Sequence, residues 1–119
     1  IGVPMYNFSV PSVFKAYIDQ IVRVGRTWLF EPEDPDMPYK TLVHDKKMFV
    51  ITARGDGGYT PGGHNENWNH QDPFIKTVFA FMGITDITFI HVENDEFGGH
   101  KLAESIAKAR AKITELVAA

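Results

Sequence analysis

The sequence contains no cysteine, which excludes disulfides, thiolate metal sites and a cysteine nucleophile. No apolar run approaches the roughly 20 residues of a membrane-spanning helix, so no membrane partner is expected. Twelve Lys and Arg stand against 15 Asp and Glu, a net charge of −3. That balance gives no general attraction to nucleic acid or to anionic lipid. Internal repeats, low-complexity tracts and an interdomain linker are also lacking. So are a phosphate-binding Gly-Lys-Ser/Thr loop and a nucleophile elbow, the local signatures of nucleotide hydrolysis and of serine acyl transfer. A cytoplasmic location is the default expectation.

What is present is a chain of 119 residues, enough for one domain around a single core. Its apolar share of 44% and aromatic share of 13% place it among globular rather than disordered chains. The opening Ile1-Gly2-Val3-Pro4 reads as the last residues of a strand entering a loop. The N-terminal strands of the sheet are therefore expected to lie outside these residues, with 1–119 forming a partial domain.

Pro11 suits the first turn of a helix, with Ser9 as its cap. Phe14, Tyr17, Ile18 and Ile21 follow at helical spacing, with Gly25 as the expected stop. From Thr27 to Asp45 the chain reads as irregular, with Pro32, Pro35 and Pro38 and an acidic surface at Glu33, Asp34 and Asp36; Trp28 to Phe30 would add a short strand. Met48 to Ala53 is an almost unbroken apolar run, as in a strand buried on both faces. A glycine-rich stretch leads to a second helical stripe, Ile75, Val78, Phe79 and Met82, ended by Gly83. Ile87 to Val92 is β-prone, and Leu102, Ile106, Ala109, Ile113 and Leu116 mark a terminal amphipathic helix. Strands alternating with helices predict an α/β fold with a parallel sheet and right-handed crossovers. Ligands of such sheets bind beyond the carboxyl ends of the strands.

Two loops occupy that position. Pro4 to Ser9 mixes aromatic, amide and thioether side chains. By residue type alone two readings stand: a loop that holds a flat heterocycle, or a surface turn whose Tyr6 and Phe8 cap the core. Ala53-Arg54-Gly55-Asp56-Gly57-Gly58 is the second loop, its glycines allowing close backbone approach. Tyr59 to Gln71 is long enough for a lid or substrate wall, with Tyr59 and Trp68 as its candidate contacts. His64 and His70 match no metal-ligand spacing, so no metal is expected.

Pro4-Met5-Tyr6-Asn7-Phe8, Lys15-Ala16-Tyr17-Ile18-Asp19, Arg23-Val24-Gly25-Arg26-Thr27, Val50-Ile51-Thr52-Ala53-Arg54-Gly55 and Phe81-Met82-Gly83-Ile84-Thr85-Asp86 stand in order along nearly the whole chain. Together they resemble the FMN-dependent NADH-azoreductases and related NAD(P)H quinone reductases, flavodoxin-like proteins. The resemblance implies a three-layer flavodoxin-like fold. It also implies FMN held by Met5, Tyr6, Asn7 and Phe8 and by Ala53, Arg54, Gly55 and Asp56. Hydride would pass from NAD(P)H through flavin N5 to a quinone or azo compound, with no side-chain nucleophile. A homodimer is implied on the same ground. The FMN phosphate would sit on a loop after the first strand of the full sheet, outside these residues, so the chain alone is expected to bind FMN weakly.

Two departures bear on the site. Ala53 stands where the family commonly has serine, and Asp56 where glycine is common. Asp56 beside an anionic reduced ring would be unfavourable unless it faces solvent or pairs with Arg54. These departures favour the alternative, a non-catalytic flavodoxin-like interaction module with a decayed flavin site. An acyl-carrier-protein hydrolase would need a paired nucleophile and base, and Ser9, Ser12 and the histidines show no such spacing.

Overall fold

A computed structural model describes residues 1–119. Three parallel strands, β1 (Gly2–Pro4), β4 (Lys47–Ala53) and β5 (Asp86–Val92), form a sheet in the order β1-β4-β5. Helices α1 (Ser12–Ile21) and α2 (Asp72–Met82) make the crossovers, and α3 (Gly99–Ala118) closes the chain. Between α1 and β4, β2 (Trp28–Phe30) and β3 (Tyr39–Thr41) pair as an antiparallel ribbon. Trp28 to Phe30 forms the strand expected there, while β3 was not anticipated in its proline-rich surroundings. No helix is long and apolar enough to cross a membrane.

Ile18 of α1 and Ile75, Phe79 and Met82 of α2 pack with Val3, Met48 and Val50 into one core. Helix α3 lies on the opposite face of the sheet, over β5, and Ile90 is buried there. That gives three layers. Strand β4 does not have two buried faces, however. Met48, Val50 and Thr52 are buried while Phe49 and Ile51 are 40% and 42% exposed. Both faces of the strand are apolar in sequence, but α3 covers only its β5 side, so burial keeps the period of two.

Helix α1 begins after Pro11, whose carbonyl accepts the N–H groups of Phe14 and Lys15. Ser9 is not its cap; the Ser9 hydroxyl instead donates to the His70 carbonyl at 3.3 Å. The helix also stops before Gly25. The Thr27 hydroxyl donates to the Ile21 carbonyl at 2.7 Å and accepts the Arg23 N–H at 3.0 Å. This folds the chain back early and leaves Gly25, at φ +75°, in the turn. Helix α2 ends as expected at Gly83, with φ +118° and no room for a side chain: a Cβ would lie 2.0 Å from the Val43 carbonyl oxygen.

Candidate functional site

The loop after β1 is a tight two-residue turn. Tyr6 and Ser9 exchange backbone hydrogen bonds of 3.1 and 3.0 Å, and Asn7 and Phe8 between them have φ of 46° and 67°. Two left-handed residues in sequence define a type I′ geometry. Asn tolerates this conformation, but a Phe held there costs about 1–3 kcal/mol. Its neighbours hold it. The His70 N–H donates to the Phe8 carbonyl at 2.9 Å, and the Trp68 ring meets the Phe8 ring edge-on at 5.2 Å.

Trp68 belongs to a short 3₁₀ turn, Glu66–Trp68, inside the long loop from Tyr59 to Gln71 that the sequence marks as a lid or substrate wall. That segment is braced throughout. The Asn69 side-chain oxygen accepts the N–H groups of Gln71 and Asp72, both at 3.1 Å, and so caps α2. The Asn65 amide donates to the Gly57 carbonyl and to Asp56.

After β4, Arg54 turns inward and is fully buried. Its guanidinium pairs with Asp72, donates from Nε to Gln71 and lies over the Tyr59 ring. Its backbone is also engaged, with the N–H donating to Val92 and the carbonyl accepting from Asp95. Asp72 additionally faces His91 Nε2 at 3.2 Å, and His91 Nδ1 shares a 2.7 Å hydrogen bond with the Thr52 hydroxyl. Gln71 completes the brace by donating to the Val3 carbonyl. Burial raises the Asp72 pKa, but His91 and Arg54 outweigh burial and hold it at about 2. The Thr52–His91–Asp72 chain has the connectivity of a catalytic triad, yet the hydroxyl sits 1% exposed in the sheet and no substrate can reach it. Ser9 bonds the His70 backbone, not its ring.

Above this brace lies an open cleft of about 310 Å³ lined by Met5, Asn7, Phe8, Gly55, Asp56, Tyr59, Asn65, Trp68 and Glu96. The structure thus brings Met5, Asn7, Phe8, Gly55 and Asp56 together with Tyr59 and Trp68. Tyr6, half-exposed, is outside the lining, as are Ala53 and Arg54. Ala53 takes part through its carbonyl, which accepts the Met5 N–H at 2.9 Å. Asp56 does not pair with Arg54. Its carboxylate accepts the Gly57 N–H at 2.7 Å and the Asn65 amide at 3.1 Å, and the Gly57 bond is the main cause of its lowered pKa. Tyr59 is buried, and loss of solvent pushes its phenol upward. No group of three His, Asp or Glu side chains is placed to hold a metal ion.

Sequence reasoning missed Asn65 and Glu96 in the cleft, and Gln71, Asp72 and His91 in the brace. A signal existed for part of this. Asn69 followed by Asp72-Pro73 is the pattern of a capped helix start with an acidic first turn.

The N–H groups of Asn7, Phe8, Gly55 and Asp56 have no partner within the chain. All four residues line the cleft, together with the side chains of Phe8, Tyr59 and Trp68, a mix of free main-chain donors and aromatic rings that suits a flat heterocycle with acceptor atoms on its edge.

A model for the flavodoxin-like fold matches residues 1–117. The chain is 47% identical over 118 residues to FMN-dependent NADH:quinone oxidoreductase 2 of Trichormus variabilis, covering 98% of this chain and 55% of that protein. To FMN-dependent NAD(P)H:quinone oxidoreductase 1 of Pseudomonas aeruginosa it is 41% identical over 116 residues, with the same shares covered. It spans about half the length of the curated relatives it matches. Among solved structures, an FMN-dependent NADH-azoreductase from Bacillus anthracis in complex with FMN superposes with a TM-score of 0.82 at 24% identity, over 97% of this chain and 51% of that one. That superposition speaks for the fold. The sheet order, the three layers and the family match over residues 1–117 agree: the chain belongs to the flavodoxin-like fold family.

Proposed function

We propose that the chain carries the ring-holding part of an FMN-dependent NAD(P)H oxidoreductase that reduces quinones or azo compounds. The observation that carries this reading is the set of unpartnered N–H groups at Asn7, Phe8, Gly55 and Asp56 around a cleft walled by Phe8, Tyr59 and Trp68. The names and identities of the quinone oxidoreductases it resembles support the same reading. Bound FMN would supply hydride transfer at N5, from NAD(P)H and then to the acceptor.

The residues of this chain would do the rest. Asn7 and Phe8 are fixed in a strained turn before any ligand arrives, so their N–H groups need little reorganisation to meet ring oxygens or nitrogens. Phe8 and Trp68 would form an apolar wall that excludes water from one side of the ring. Met5 would fill the floor beside them. Arg54 acts from beneath, holding Tyr59 and the second loop in place through Asp72 and Gln71. Ala53 would act through its carbonyl and Tyr6 through the backbone bonds that close the turn. The cleft stays open on its solvent side, where NAD(P)H and the acceptor would enter in turn. A second copy of the protein is the proposed partner there.

The test is flavin content. The intact protein, purified and supplied with FMN, should be yellow, and NADH should bleach its absorbance until a quinone restores it. A protein that stays colourless in excess FMN refutes the reading.

A further inference from the structure

The cleft carries two formal charges, both negative. Asp56 and Glu96 line it, and its other lining residues, Met5, Asn7, Phe8, Gly55, Tyr59, Asn65 and Trp68, are neutral. None of the lining residues is cationic. Arg54, the nearest candidate in sequence, is buried and neutralised by Asp72, with Glu93 also within 3.7 Å of its guanidinium. Asp56 borders a neighbouring depression as well, lined by Lys101, Lys108 and His64, and there Lys101 and His64 partly offset its charge; Glu96 lines only the cleft and makes no ion pair. Asp56 is also fixed: its two oxygens accept the Gly57 N–H and the Asn65 amide, so the carboxylate cannot swing away from an incoming ligand without giving up both bonds.

We propose that the acceptor reduced at this cleft is neutral or cationic, and that Asp56 and Glu96 set this preference by repelling sulfonated or carboxylated acceptors. The inference rests on the flavin reading above and narrows its substrate class. An acidic acceptor entering here meets two carboxylates, and like charges repel it on approach. A neutral naphthoquinone does not meet that barrier. Asp56 also explains itself on this view: a carboxylate in the second loop does not abolish the site but filters what enters it.

The experiment compares a neutral naphthoquinone with the same ring bearing a sulfonate, using the intact FMN-loaded protein and its Asp56→Asn and Glu96→Gln variants. Two readouts are taken: kcat/KM for NADH-driven reduction, and the dissociation constant of each quinone from quenching of Trp68 fluorescence without NADH. Trp28, the other tryptophan, lies in the β2–β3 ribbon beside Tyr39 and Phe81 and gives a constant background. In each variant the ratio of sulfonated to neutral quinone should rise about three- to tenfold in kcat/KM and fall by a similar factor in dissociation constant, and raising salt should move both wild-type ratios in the same directions, toward the variant values. Glu96 makes no side-chain hydrogen bond, so its variant reports charge even if Asp56→Asn disturbs the loop. Ratios unchanged within about twofold in both variants, in a protein that binds FMN and is bleached by NADH, overturn the inference and leave the flavin reading intact. A protein that takes up no FMN overturns both.

Discussion

Arg54 at the end of β4 and Asp72 in the first turn of α2 form an ion pair whose guanidinium is wholly buried and whose carboxylate is 12% exposed. The pair joins the strand that carries the second loop to the first turn of α2. Removing one partner strands a buried charge, so Asp72→Ala or Arg54→Ala should cost about 3–5 kcal/mol in urea unfolding. The double replacement Arg54→Ala with Asp72→Ala should cost less than the sum of the single changes. Additive losses would mean that the two residues do not act as a pair.

The same carboxylate makes stability depend on pH. Its folded pKa of about 2 lies below the ordinary 3.8, so its contribution is complete above the unfolded value and is lost as pH falls through the folded one. The amount is roughly 2 kcal/mol. Thermal midpoints of the wild type should fall steeply between about pH 5 and pH 2. Asp72→Asn should start lower at neutral pH and show a shallower acid limb.

Asn7 sits at φ 46°, where a β-branched residue is strongly disfavoured. Asn7→Val should therefore destabilise the fold by about 1–3 kcal/mol, while Asn7→Gly should be close to neutral. Denaturant midpoints of the two variants check this. An equal loss in both would place the effect in the Asn7 side chain rather than in the backbone.

Trp68 is 56% exposed and touches Phe8 edge-on. Trp68→Ala should change global stability little, yet weaken FMN retention about two- to tenfold, the worth of one aromatic contact. Trp68→Phe should recover most of it. Equilibrium dialysis against FMN gives the comparison.

Gly63 packs against the second loop so closely that a Cβ would lie 2.1 Å from the Gly58 carbonyl oxygen. Gly63→Ala should cost about 1–3 kcal/mol because backbone must move. Gly2, with nothing within 4 Å of a Cβ position, is the control, and Gly2→Ala should stay within about 0.5 kcal/mol of wild type.

The elements that could be read from sequence are those with a local signature. The stripe of Ile75, Phe79 and Met82, with Gly83 behind it, announces α2, and the apolar run from Met48 announces β4. The cleft residues came less from periodicity than from family resemblance, which pointed to Met5, Asn7, Phe8, Gly55 and Asp56 but also to Tyr6, Ala53 and Arg54, outside the lining. What escaped has a physical reason. Tyr39–Thr41 has too few residues to show alternation, and only pairing with Trp28–Phe30 makes it a strand. The early end of α1 depends on one Thr27 hydroxyl that returns to Ile21. Arg54, Asp72 and His91 are far apart in sequence, and a buried ion network leaves no periodic trace. The openness of Phe49 and Ile51 was unreadable too, because an apolar side chain looks the same in sequence whether or not a helix covers it.

Ser9 and His70 stand 61 positions apart, and the contacts around them close the wall of the cleft. A closure of that span forms only after the intervening strands and helices have brought its ends together, so the cleft should mature late in refolding. It is accordingly a property of the assembled domain. A synthetic peptide spanning Pro4 to Ser9 would lack His70 and Trp68, and with them the restraints that keep Phe8 left-handed.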